Sequence, residues 1–180
     1  MLYGCINHTI ISQDIYHLQT GSPLRGVSQK TFVFKEFKDA RDKSTLLVGK
    51  FGLHKFLLDE PATTVVAMAI KKELERNGHR CITDSAIAKD GDFIVEGTVY
   101  EYSLKLIPGF YVNKLCSKVV VKLTIRSATD KFSKTYQGEY SISSGTGYSV
   151  TTGFDIINQA FLKILKDISI DSDLVEFLGK

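Results

Sequence analysis

The chain has 180 residues, 43% of them apolar and 24% charged, with a net charge of +3. That length and composition give one soluble-type domain with enough apolar material for a core without disulfides or metal. Lys and Arg are scattered among Asp and Glu, so a nucleic-acid-binding surface is not indicated, and no run of about twenty apolar residues is present to span a bilayer.

The first five residues read Met-Leu-Tyr-Gly-Cys. Leu2, Gly4 and Cys5 resemble the end of a bacterial lipoprotein signal, the lipobox, in which a small residue precedes the cysteine that is acylated. Tyr3 departs from the small or β-branched residue usual there. An ordinary free or buried cysteine is the alternative. Turn formers such as Thr20-Gly-Ser-Pro23 and Gly26 follow without sustained periodicity, so residues 1–30 read as the lipobox remnant and a flexible tether. Residues 31–180 then form a single α+β domain.

Thr31 to Phe37 is a strand anchored by Phe32, Phe34 and Phe37. The polar stretch Lys38 to Ser44 reads as a turn, and Leu46 to Leu58 as one or two short strands broken near Gly52. Asp39 and Asp42 are a candidate acid–base pair, since two close carboxylates can split their pKa values. A charged loop, with Arg41 keeping both ionised, is the better reading.

Pro61 opens the first helix, predicted over about 61–77. Ala62, Val66, Ala69, Ile70 and Leu74 share one face, and Asn77-Gly78 supplies the stop. Arg80 to Asp84 is a short strand, so the helix is a crossover laid on the sheet.

A three-strand meander occupies about 93–144. Val119, Val121, Leu123 and Ile125 alternate with mainly polar neighbours, and Phe132, Tyr136, Tyr140 and Ile142 repeat the period of two. Asp130-Lys131 marks the turn between them. In the first strand the apolar phase shifts from odd positions (Phe93, Val95, Val99) to even ones (Tyr100, Tyr102, Leu104, Leu106), so the row can stay on one face only with an inserted residue. Gly97 is the expected bulge.

Leu106 to Val112 forms the hairpin tip, turned at Pro108-Gly109. Ile107, Phe110, Tyr111 and Val112 are unusually apolar for such a position. The expectation is a tip folded back onto the body. Left exposed, those four residues would be a contact patch for a partner or a membrane surface. A Gly-rich loop, Gly145 to Gly153, precedes the second helix, predicted over about 152–168 with Thr152 and Asp155 as a capping box. The loop matches neither nucleotide-binding spacing. Phe154, Ile157, Phe161, Ile164 and Ile168 form the helix stripe. Asp171 caps a last short helix.

The fold class is therefore α+β: a mixed, mainly antiparallel sheet with two main helices packed on one face. No catalytic constellation is present. His8, His17, His54 and His79 have no metal-ligand spacing, and no cofactor is implied. Cys81 and Cys116 are far apart, and a bond between them is not expected.

The element order, Asp39-Ala-Arg41 after the first strand, Leu-x-x-Asn-Gly78 ending the helix, Asp92-Phe-Ile-Val95 opening the meander and the closing Ile164-Leu-Lys-Asp167 resemble the YajG-like lipoproteins of Gram-negative bacteria. The resemblance covers about residues 31–178. It implies a periplasm-facing lipoprotein held in the outer membrane through acylated Cys5, with Ile6 agreeing with outer-membrane sorting. The expected function is that of a non-enzymatic adaptor for an unidentified envelope protein. The alternative is a lipid- or small-ligand-binding accessory of an envelope transport system, with Tyr136 and Tyr140 lining a pocket.

Overall fold

The computed structural model describes residues 22–41, 47–48, 61–83, 89, 91–145 and 150–180. Its spine is the predicted meander: β5 (Phe93–Ile107), β6 (Asn113–Arg126) and β7 (Lys131–Ser144), paired antiparallel. The core row of β6 is Leu115, Ser117, Val119, Val121, Leu123 and Ile125, all buried. The alternate row, Lys114 to Arg126, faces the other side. The β6–β7 turn comprises Ser127 to Asp130, with Lys131 already paired to Arg126.

The sheet continues from β5 with parallel strands. β1 (Thr31–Phe34) lies between β5 and β4 (Arg80–Ile82). Two further short strands, β2 (Lys38–Asp39) and β3 (Leu47–Val48), pair with later stretches of β5. β1, β2 and β3 thus act as one interrupted strand alongside β5. The start of the expected polar turn is therefore sheet: Lys38 and Asp39 pair with Thr98 and Val99. Backbone bonding places them there, which side-chain alternation could not reveal. Most of the expected strand region Leu46 to Leu58 lies outside the described residues.

The phase change in β5 is real, but its position differs from the expected one. The register shifts between Val99 and Glu101, so Tyr100 is the extra residue, while Gly97 stays paired with Leu123. Gly97 serves another purpose: the ring of Phe37 lies where its side chain would be. The bulge keeps Val95 and Val99 on the core side before it and Tyr102 and Leu104 after it.

Helix α1 (Ala62–Arg76) buries Ala62, Val66, Ala69, Ile70 and Leu74, as the periodicity predicts. Pro61 is its N-cap, and Gly78 follows it with φ of 91°, the left-handed region that glycine occupies at little cost. Helix α2 (Val150–Ser169) lies over β6 and β7. The expected capping box fails because the helix already begins at Val150, leaving Thr152 and Asp155 inside it. The backbone of Ala160 comes so close to Gly138 of β7 that no side chain fits there. Helix α3 (Ser172–Gly179) closes one end, with Phe177 against Phe93 and Phe132.

The packed body begins before Thr31. A short 3-10 turn, Pro23–Gly26, puts Leu24 in the core with no exposed surface. Ser22 Oγ donates to the Ser169 carbonyl at 2.8 Å. Residues 22–30 are thus not the loose tether expected of them. One Leu among turn formers shows no period, so its burial is set by distant contacts.

Candidate functional site

The hairpin tip does not fold back. Phe110 is 91% exposed, Tyr111 83%, Ile107 52% and Val112 46%. The two rings stack edge to face, their centroids 4.7 Å apart. Among the described residues nothing covers them. Gly153, in the first turn of α2, packs against Leu104, and the tip joins the ends of β5 and β6. The turn is tight: the Val112 carbonyl occupies the space next to Gly109 that a side chain would need. Two lysines flank the tip. Lys105 and Lys114 are exposed, and no Asp or Glu lies between Glu101 and Asp130.

Ser22 and the tip lie at opposite ends of the molecule. Ser22 bonds to the C-terminal end of α2, beside α3 and the start of β5, whereas the tip follows the far end of β5. The strand between them spans about 50 Å at about 3.3 Å per residue.

The sheet face away from the helices is polar and carries a ladder of ion pairs. Arg126 meets Glu96 at 3.0 Å, and Lys118 meets Glu101 at 3.6 Å and Glu139 at 3.4 Å. Burial opposes ionisation of Glu101, yet its bonds from Ser103 and Lys105 and the nearby lysine charges hold its pKa below the ordinary value. Exposed pairs of this kind add little stability. They do give the face a mixed charge.

At the opposite edge, Asp171 collects four donors. Its Oδ1 accepts from the backbone N–H of Asp173 (3.0 Å) and Leu174 (3.3 Å), capping α3. Its Oδ2 accepts from the Tyr136 hydroxyl at 2.6 Å and pairs with Lys134 at 2.9 Å. Burial pushes its pKa up, but these bonds outweigh burial and hold it below the ordinary value. They surround an open recess of about 390 Å³ lined by Lys134, Tyr136, Asp167, Ile170 and Asp171 among others. Tyr136 lines it and Tyr140 does not. Open and polar, it differs from the mostly apolar, enclosing pockets that hold lipid-like ligands.

A second polar cluster was not foreseen. Glu73 is buried and accepts from Ser169 Oγ (2.5 Å) and Asn77 Nδ2 (3.0 Å), joining α1 to α2. Its position, three residues after Ile70 on the flank of the apolar face, was the available signal. His79 is also buried. Its Nδ1 accepts from the Lys30 N–H at 3.3 Å, and burial lowers its pKa.

The remaining candidates carry no reactive geometry. Asp39 forms a two-pronged pair with Arg41, at 2.9 and 2.8 Å, and Asp42 lies outside the described residues. Cys81 and Cys116 are free thiols, on strands separated by β1 and β5 and so too far apart to bond. Burial, with Glu75 adding to it, pushes the Cys81 thiol up to about 12. Among the described residues no group of His, Cys, Asp and Glu could hold a metal, and no helix is long and apolar enough to cross a membrane. Cys5 and most of the Gly-rich loop lie outside the described residues.

The described residues thus form a mixed sheet with both main helices on one face and a projecting apolar hairpin. The chain belongs to a family described as uncharacterized lipoprotein, whose model matches residues 29–179. It is thus a lipoprotein of the cell envelope, consistent with the YajG-like resemblance. No curated protein matches it. Among solved structures it is similar to an uncharacterized protein at 8% identity, covering 79% of this chain and 97% of that one, with a TM-score of 0.49. A hypothetical protein from Chlamydia trachomatis is 9% identical, with 84% and 97% covered and a TM-score of 0.44. A lipoprotein from Neisseria meningitidis is 11% identical, with 72% and 96% covered and a TM-score of 0.35. These likenesses carry no functional argument.

Proposed function

We propose that this protein is a non-enzymatic adaptor of the Gram-negative envelope, held in the outer membrane through acylated Cys5 and facing the periplasm. Its contact surfaces are the hairpin tip (Ile107, Phe110, Tyr111 and Val112) and the polar sheet face, the latter suited to an envelope protein partner. The observation that carries this reading is the exposure of Phe110 and Tyr111 at the end of the body opposite Ser22. Burying large aromatic rings is a major driving force for folding and association, so two rings left in water at a strand end are best explained by contact with something else. The chain between Cys5 and Ser22 spans at most about 60 Å when extended, which gives the body reach around its anchor. Acylation supplies attachment without a spanning helix.

Two measurements test it. The intact mass of protein made in a Gram-negative host should equal the chain from Cys5 plus acyl groups. A photo-cross-linking residue at position 110 should give products in cells, whereas one at Glu176 on α3 should not. Unmodified protein removes the anchor, and equal yields at the two positions remove the tip as a contact site.

A further inference from the structure

We infer that the hairpin tip is a bilayer-contact device: Phe110 and Tyr111 enter the headgroup region of an anionic phospholipid surface while Lys105 and Lys114 meet its phosphates. This rests on the reading above that the tip is a contact site, and it names the chemistry of what is contacted.

Three features favour a lipid surface. The first is size. The tip offers four apolar side chains on a single turn, whereas a stable protein interface takes about 20–30 residues a side. A small projecting apolar tip suits insertion into a soft surface, which needs no complementary groove.

The second is the kind and order of residues. An aromatic pair with aliphatic neighbours sits at the extreme end, and Tyr111 has the apolar ring and polar hydroxyl that settle at headgroup level. Lys105 and Lys114 stand behind them on the two strands. Their long stems let an ammonium group stay in water or at phosphate level while the tip goes deeper.

The third is charge. The stretch from Tyr102 to Thr129 contains no Asp or Glu, and neither does Tyr140 to Gly145 at the neighbouring strand end. Behind it Lys105 is paired with Glu101 at 3.3 Å while Lys114 stays exposed, so this end of the sheet keeps a net positive charge, complementary to a negative lipid surface. The acidic members of the mixed-charge ladder, Glu101 and Glu139, lie further back from the turn. A peripheral contact of this kind adds to the attachment given by acyl chains.

The test uses the full chain with Cys5→Ser, so that acylation plays no part. Sedimentation is measured with vesicles of phosphatidylethanolamine and phosphatidylglycerol, and with vesicles of phosphatidylcholine alone. The expected result is binding to the anionic vesicles that weakens with salt and is weaker on phosphatidylcholine. Phe110→Ser with Tyr111→Ser should reduce binding at least about tenfold, and Lys105→Glu with Lys114→Glu should do the same. All four side chains are exposed, and the Lys105–Glu101 pair is a surface pair that adds little stability, so the thermal midpoints should stay close to the parent value, which separates lost binding from lost folding.

No sedimentation of the parent chain, or equal sedimentation of the Phe110 and Tyr111 variant, overturns the inference. Cross-links from position 110 to protein together with no vesicle binding also overturn it, while leaving the tip as a contact site. Absence of both removes the contact reading as well.

Discussion

The Tyr136 hydroxyl donates to Asp171 Oδ2 at 2.6 Å, tying the edge strand β7 to the cap of α3. The bond is buried and its acceptor is charged, so it belongs to the stronger class of side-chain hydrogen bonds. Tyr136→Phe should destabilise the fold by about 1.5–3 kcal/mol in urea titration. A loss within error of zero would mean that Lys134 and the backbone donors alone satisfy Asp171.

The same carboxylate makes stability depend on pH. Its pKa in the folded protein lies below the ordinary value of 3.8, so its contribution is present above that value. The contribution is lost as pH falls through the folded-state pKa, because the protonated acid no longer pairs with Lys134. The stability gap between the parent protein and Asp171→Asn should therefore be widest near neutral pH and shrink below about pH 4. A gap that grows on acidification would contradict this sign.

How far the sequence reveals the fold depends on what holds each part. β6 and α1 were legible because each buries one face, and burial leaves a period of two or of about 3.6 in the residues. Asp171 was legible as a cap because capping is local. Its bonds to Tyr136 and Lys134, 35 and 37 positions away, were not. β2 was missed because Lys38 and Asp39 join the sheet through backbone groups that any residue carries. The tip was recognised as apolar, yet its exposure depends on tertiary packing, which leaves no period in the residues. The bulge was expected at Gly97 because glycine bends strands, whereas the sheet uses that missing side chain to seat Phe37.

Gly138 leads to a sharper prediction. A methyl group there would meet the Ala160 carbonyl, which is backbone and cannot swing aside. Gly138→Ala should cost about 1–3 kcal/mol by forcing α2 away from β7. At Gly97 the obstacle is the Phe37 ring, so Gly97→Ala combined with Phe37→Ala should be less than additive. Thermal or urea unfolding of the single and double variants checks both.

Leu24 tests where the folded body starts. It is fully buried, so Leu24→Ala should destabilise by about 2–4 kcal/mol despite its place in the first part of the chain. A change below about 0.5 kcal/mol, typical of surface sites, would mean that residues 22–26 are not part of the core.

Cys81 should be inert while the protein is folded. With its thiol pushed up to about 12, almost none is thiolate near pH 8, and its sulfur already faces the Lys71 carbonyl at 3.7 Å. Alkylation followed by peptide mapping should show Cys81 modified far more slowly than in denaturant. Equal rates would show that the β4 edge opens freely.

The placement of Ser22 and the tip at opposite ends also has a mechanical side. Tension applied between these two points acts along the strand axes and pulls β5 against its neighbours lengthwise. Many ladder bonds then share the load in shear, whereas a pull across the sheet would break them in succession like a zipper. A body built this way can carry a lengthwise force between those two points while its sheet stays intact.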